Sequence, residues 1–281
     1  MGRALAVIIW ILTILSVALF LSKKWWFPEA ISAHAPALDR QFMITIIIVG
    51  IAFTAAQLGL GWMIWKYRET GDGSRAVYTE GSNKLEVLWT VVTAIIFIGL
   101  AVMGQSVWAS LRLHDAPAGS YQVEVVAQQF SWNFHYPGKD NLLGHCDPTL
   151  IEEPGNFIGL DPEDPNSKDD SVVSALAIPV NRPVELILRS KDVIHSFWVP
   201  PLRFKQDLVP GMSIKVHFTA TKVGKYELAC AELCGQLHFK MKSYMLVLPD
   251  DELKALTQLS QDDFQARMKE LLAKYPLPPM K

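Results

Sequence analysis

The sequence predicts a membrane-anchored α+β protein, with apolar N-terminal helices followed by an antiparallel β-sandwich. Two observations carry that prediction. Only 19% of the 281 residues are charged, against about 25% in ordinary soluble chains. The deficit is local: residues 1–111 hold 14 of the 54 charged side chains, and residues 112–281 hold the other 40. From Tyr121 onward, short β-rich runs alternate with Gly and Pro turns, as sandwiches and barrels do. An all-soluble enzyme and a polytopic transporter are both excluded. The net charge is −2, and the soluble part, with 18 basic and 22 acidic residues, carries −4. That balance excludes a basic nucleic-acid surface and weakly favours a basic partner.

In chain order, Ala4–Ser22, Gln41–Trp65 and Val87–Leu111 are uncharged. About 20 apolar residues cross a bilayer, so the second and third runs predict transmembrane helices. The first reads either as a retained helix or as a cleaved signal. Arg3 before an apolar run suits a signal, but 19 residues exceed the usual h-region of about 7–15. Lys23-Lys24-Trp25-Trp26 reads as an interfacial anchor. Basic residues divide five against four between the two sides of the membrane, so charge alone does not orient the chain. The expected organisation is a hydrophobic segment and linker over 1–40, a helical hairpin over 41–112, a β domain over 113–249 and an amphipathic helix with a tail over 250–281.

Strands are expected at Tyr121–Ala127, Phe130–Tyr136, Pro183–Arg189, Ser213–Thr219, Lys225–Ala229 and Tyr244–Leu248. Residues 147–170 hold eight acidic residues and four prolines against a single Lys168, which predicts a solvated loop. In the tail, Ser260 and Asp263 suggest a cap, and Phe264, Met268 and Leu271 share one helical face.

The chemistry is concentrated in Cys230-Ala-Glu232-Leu-Cys234-Gly-Gln-Leu-His238-Phe-Lys-Met241, with His195 35 residues upstream of Cys230. Thiolate and thioether are soft ligands that favour copper, and imidazole suits copper or zinc. A structural zinc site on Cys230, Cys234, His195 and His238 leaves Met241 unexplained. A Cys230–Cys234 disulfide and a coincidental set of core residues also compete. One cysteine per mononuclear blue-copper site is usual, so two cysteines favour two copper ions bridged by two thiolates.

The run resembles the copper-A motif C-x-E-x-C-x₃-H-x₂-M of cytochrome c oxidase subunit II. His195-Ser196, Val199-Pro200 and Asp207-Leu-Val-Pro210-Gly211 also resemble that family, over roughly residues 40–249. The resemblance implies a cupredoxin-like sandwich in which Cys230 and Cys234 bridge two copper ions. It implies that His195 and His238 each terminate one copper, with Met241 and the backbone carbonyl of Glu232 as weak ligands. The Glu232 side chain would reach a magnesium ion shared with the catalytic subunit. Glu86, at the start of the third run, is an interfacial helix charge or, by resemblance, the entrance of a proton pathway in that neighbouring subunit.

The family's W-Y-W run differs here. Phe130 stands where the first Trp receives electrons, and Trp132 is a core residue or a substitute. No C-x-x-C-H is present, which implies a separate cytochrome c donor. His145-Cys146 reads as structural or incidental, and His114, His135 and His217 lack companions at ligand spacing. The implied function is the subunit through which electrons enter a respiratory haem–copper oxidase in a bacterial plasma membrane. Its copper domain would lie on the extracytoplasmic side, and a partner subunit would reduce oxygen to water with proton translocation. The copper-A subunit of a nitric oxide reductase and a non-redox assembly subunit are the competing functions.

Overall fold

The computed structural model describes residues 1–24, 26–73, 75–78 and 80–278. Among them, three helices are long and apolar enough to cross a membrane: α1 (Gly2–Leu21), α2 (Ala35–Lys66) and α3 (Asn83–Arg112). α2 begins ahead of its apolar run because Pro36 is compatible with a first helical turn. α1 packs closely on α2. The Trp10 indole donates to the Leu58 carbonyl at 3.3 Å and stacks on Trp65. A Cβ at Gly61 would overlap that indole, so the small residue permits the close approach. In the anchor motif, Trp26 donates its ring N–H to Phe20 O at 3.1 Å; Trp25 lies outside the described residues.

The chain divides into two compact units, Met1–Trp26 with Ala37–Ser110, and Phe27–Pro36 with Leu111 onward. The second unit is a sandwich of two five-stranded sheets. One sheet has the order β3-β2-β1-β5-β8, from β1 (Tyr121–Gln128), β2 (Ser131–Tyr136), β3 (Ser171–Val173), β5 (Pro183–Ser190) and β8 (Ile214–Thr219). The other has the order β4-β10-β9-β6-β7, from β4 (Leu176–Pro179), β6 (His195–Val199), β7 (Phe204–Leu208), β9 (Gly224–Cys230) and β10 (Lys242–Leu248). Most pairs are antiparallel, but β1 with β5 and β4 with β10 run parallel. Trp132, Phe134, Leu186 and Leu188 from one sheet share a core with Ile178, Phe197, Leu228 and Val247 from the other.

Four strands exceed the sequence expectation: β3, β4, β6 and β7. Three of them, β3, β4 and β7, are sheet edges, where short or polar segments such as Phe204-Lys-Gln-Asp-Leu208 replace an alternating apolar pattern. Residues 27–36, expected as linker, also join this unit. Ile31 is 1% exposed in the core. Its backbone N–H donates to Pro201 O, and its carbonyl accepts from Thr221 N at 2.7 Å.

Residues 147–170 contain no strand among the described residues, as expected, but they are more than a solvated loop. Ile158 and Cys146 pack on Val126, on the outer face of β1. Both faces of that strand are therefore covered. Cys146, read from sequence as structural or incidental, donates its S–H to Glu124 Oε2 at 3.3 Å. His135, read as lacking companions, contacts Glu124 at 3.0 Å and Asp170 at 2.6 Å. Burial disfavours the imidazolium, but the bonds to Asp170, Cys146 and Glu124 outweigh it and push His135 up to about 11.

The tail forms two helices, α4 (Asp250–Thr257) and α5 (Gln261–Lys274). The Ser260 hydroxyl accepts from Asp263 N, the expected cap. Phe264, Met268 and Leu271 are buried, with Phe264 5.0 Å from the Tyr136 ring.

Candidate metal centre

β9 ends at Cys230, β10 begins at Lys242, and the intervening loop carries the chemistry. Cys230 N donates to Met241 O at 3.1 Å, which closes the base of the loop. A 3-10 turn over His238–Lys240 then brings both His238 and Met241 against Cys234. β6 pairs with β9 through Phe197 and Cys230, so His195 at the start of β6 stands beside the loop. His195, Cys230, Cys234 and Met241 are all buried.

The Cys230 and Cys234 sulfurs lie 3.9 Å apart, well beyond the ~2.05 Å of a disulfide, and both cysteines are free. A disulfide is therefore incompatible with this arrangement. Around Cys230 Sγ lie His195 Nδ1 at 3.8 Å and the Glu232 carbonyl at 3.2 Å. Around Cys234 Sγ lie His238 Nδ1 at 3.5 Å and Met241 Sδ at 3.7 Å. The six positions read from sequence thus converge, divided two and two about a pair of thiols. With metal–sulfur bonds of about 2.3 Å, sulfurs at this separation can both touch one ion.

Electrostatics prepares the pair for metal. Burial raises both thiols. At Cys230, hydrogen bonding with His195 and with the backbone at Glu232 and Ser196 outweighs burial and lowers it. That charge, added to burial, holds Cys234 up. Burial opposes charge on His195, but Cys230 and Asp192 raise it overall. Asp192 accepts from His195 Nε2 at 2.8 Å, leaving Nδ1 to face the sulfurs.

The β1–β2 turn buttresses the loop. Gln129 Nε2 donates to Cys234 O at 2.5 Å. Gly235, at φ +137°, lies so close that a Cβ there would meet Gln129 and the Phe130 ring. Phe130 is thus against the loop, whereas Trp132 is 2% exposed, with its ring 6.4 Å from His195. The Glu232 side chain is exposed. Glu86 sits in the first turn of α3, within the helical unit. Sequence reasoning missed Asp192, which has no metal-ligand spacing of its own; its position three residues before His195 was the one available signal.

Two family profiles match the chain: "Cytochrome C oxidase subunit II, periplasmic domain" over residues 121–248 and "Cytochrome C oxidase subunit II, transmembrane domain" over residues 20–107. The alternative cytochrome c oxidase subunit 2 of Bradyrhizobium diazoefficiens is 34% identical over 254 residues, covering 90% of each chain. The chain belongs to the cytochrome c oxidase subunit II family. Cytochrome c oxidase subunit 2 of Thermostichus vulcanus is 32% identical and covers 80% of this chain and 75% of its own. The solved periplasmic domain of subunit II from Bradyrhizobium japonicum covers 53% of this chain and 99% of its own, at 24% identity and a TM-score of 0.39.

Subunit II membership makes this chain part of a haem–copper oxidase, an oxidoreductase complex, and implies copper A as its cofactor. The His195, Cys230 and Cys234 donor atoms all lie within 4.8 Å of one another. Their soft sulfur and imidazole chemistry fits that cofactor.

Proposed function

We propose that this chain receives electrons for a respiratory haem–copper oxidase and passes them to haem in the catalytic subunit I. There oxygen is reduced to water with proton translocation. His195, Cys230, the Glu232 carbonyl, Cys234, His238 and Met241 hold the two copper ions. The observation that carries this reading is the two-and-two division of donors about thiols 3.9 Å apart. Bound there, copper A supplies a reversible one-electron couple.

The chain's own residues make that couple fast. Cys230 and Cys234 would both hold the metal, and two thiolates in place of one would share a charge change, so that little need relax at either end of the site. β6, β9 and β10 hold His195 and the two ends of the loop in fixed register. Burial of His195, Cys230, Cys234 and Met241 excludes water and limits reorganisation. Leu233, Leu237 and Phe239 are exposed on the same loop and offer an apolar surface for partner proteins.

The donor is a separate cytochrome c. Phe130, against Gly235, is better placed than buried Trp132 to lie where electrons enter. The exposed Glu232 carboxylate is free to reach a magnesium ion shared with subunit I. Glu86 borders the proton entrance of that subunit. Three helices span the bacterial plasma membrane, with the copper domain outside the cytoplasm. The retained-helix reading of α1 is supported by Trp10, which packs into the notch left by Gly61.

The test is to mix the copper-loaded full chain with reduced cytochrome c under anaerobic conditions. The reading predicts one electron accepted per chain. No transfer, or two electrons per chain, contradicts it.

A further inference from the structure

Outside the copper loop, a second set of metal-binding side chains is assembled on the opposite sheet. Glu124 from β1, His135 from β2 and Cys146 from the 137–170 segment bring one donor atom each within 4.8 Å of the others. All three residues are buried, at 6%, 0% and 7% exposure. His135 Nδ1 lies 3.0 Å from Glu124 Oε2 and 3.9 Å from Cys146 Sγ, and that sulfur lies 3.3 Å from the same Oε2. Around a tetrahedral zinc, with bonds of about 2.0–2.3 Å, ligand atoms stand roughly 3.3–3.6 Å apart. The observed triangle needs only a few tenths of an ångström of adjustment.

The surroundings are those of a ligand set. The far nitrogen of His135, Nε2, bonds Asp170 Oδ2 at 2.6 Å, which fixes the ring and leaves Nδ1 facing the triangle. The copper-site residue His195 is held by Asp192 in the same way. Glu124 keeps its other oxygen, Oε1, on Arg189 at 2.8 Å, so Oε2 remains turned inward. A surface cleft of roughly 700 Å³, lined by Glu124, Cys146, Arg189 and Met212 among others, opens on the cluster. The cleft supplies an ion's path and room for a water as fourth ligand. A bound metal would displace the protons that His135 and Cys146 hold in its absence, and three negative groups (Glu124, Asp170 and Cys146) would then face one positive group, Arg189. A dication neutralises that set; a monovalent ion does not.

We propose that Glu124, His135 and Cys146 form a second metal site, for a divalent ion of zinc type, which clips the 137–170 segment to the sheet. The site is separate from the copper loop, so each can fail without the other. Copper-loaded full chain is dialysed against Zn²⁺ and then against metal-free buffer, and its metals are counted. Wild type retains one zinc per chain; Cys146→Ser loses that zinc and keeps its copper content and copper spectrum. Equal zinc in the two proteins, or none in wild type, overturns the proposal. A second measurement needs no variant: one equivalent of Co²⁺ added to the copper-loaded wild type must produce a thiolate-to-cobalt absorption band in the difference spectrum. Its absence overturns the proposal too.

Discussion

At Asp192 three hydrogen bonds converge on one carboxylate, from Gln129 N at 2.6 Å, Val193 N at 2.7 Å and His195 Nε2 at 2.8 Å. The side chain ties the β1–β2 turn to the imidazole that faces Cys230. Replacing it with Asn substitutes an amide for an ionised acceptor and frees the ring to turn. Partners of this kind are worth roughly 10–100-fold in metal affinity. Asp192→Asn is therefore expected to weaken copper binding by about that factor in competition with a chelator, with the fold intact; unchanged affinity would remove the positioning role. The contrast between the two clusters explains what single residues reveal. Five of the six copper-ligand positions fall within twelve consecutive residues, so their spacing is visible before any fold is known. Glu124, His135 and Cys146 come from two strands and an insertion, and no spacing announces them. Only the antiparallel register that sets Glu124 opposite His135, with the insertion folded over it, makes them neighbours.

Among the elements, α5 was legible because its 3.6-residue apolar pattern and the Ser260 cap lie within one short stretch; the break that separates it from α4, in place of the single helix expected, was not. The edge strands were not, because pairing on one side alone asks little of the sequence. Two forces hold α5, and their sizes differ. Phe264 is fully buried against Tyr136, and Phe264→Ala is expected to cost about 3–5 kcal/mol in denaturant unfolding. Glu252 on α4 pairs with Lys274 at 2.8 Å and accepts from Tyr275 OH at 2.9 Å. Its partner Lys274 is half exposed, and such pairs are worth about 0–1 kcal/mol. Burial raises Glu252, but Lys274 and Tyr275 outweigh it and leave it below the usual carboxylate value. A depressed folded value contributes stability that is present above the unfolded value, near pH 4.5, and is lost as pH falls through the folded one. Glu252→Gln should therefore lower stability slightly at pH 7, where the pair is fully formed, with the two profiles converging as pH falls below about 4.5. A parallel profile for variant and wild type would show that the pair contributes nothing. In α3, Glu86 occupies the first turn. In the assembled oxidase, Glu86→Gln is expected to slow proton uptake while copper reduction keeps its rate; unchanged turnover would leave only the helix charge.

On the scale of the whole molecule, the division into an apolar helical unit and a soluble sandwich was written in the distribution of charge. The boundary was not. Residues 27–36 carry no pattern of their own, yet Ile31 fills the sandwich core and the flanking backbone pairs with Pro201, Thr219 and Thr221. Only the folded core reveals the gap that such a segment fills. The same holds for the 147–170 insertion, whose acidic surface conceals the few side chains that anchor it. The central claim is copper A in the Cys230–Met241 loop. The most direct test is metal analysis with electron paramagnetic resonance on the full chain in detergent, loaded with copper under mild oxidation. Two copper ions per chain are expected in that loop, with one unpaired electron shared equally between them, and their loss in Cys234→Ser. A single copper with a localised electron, or zinc in the loop in place of copper, would contradict it.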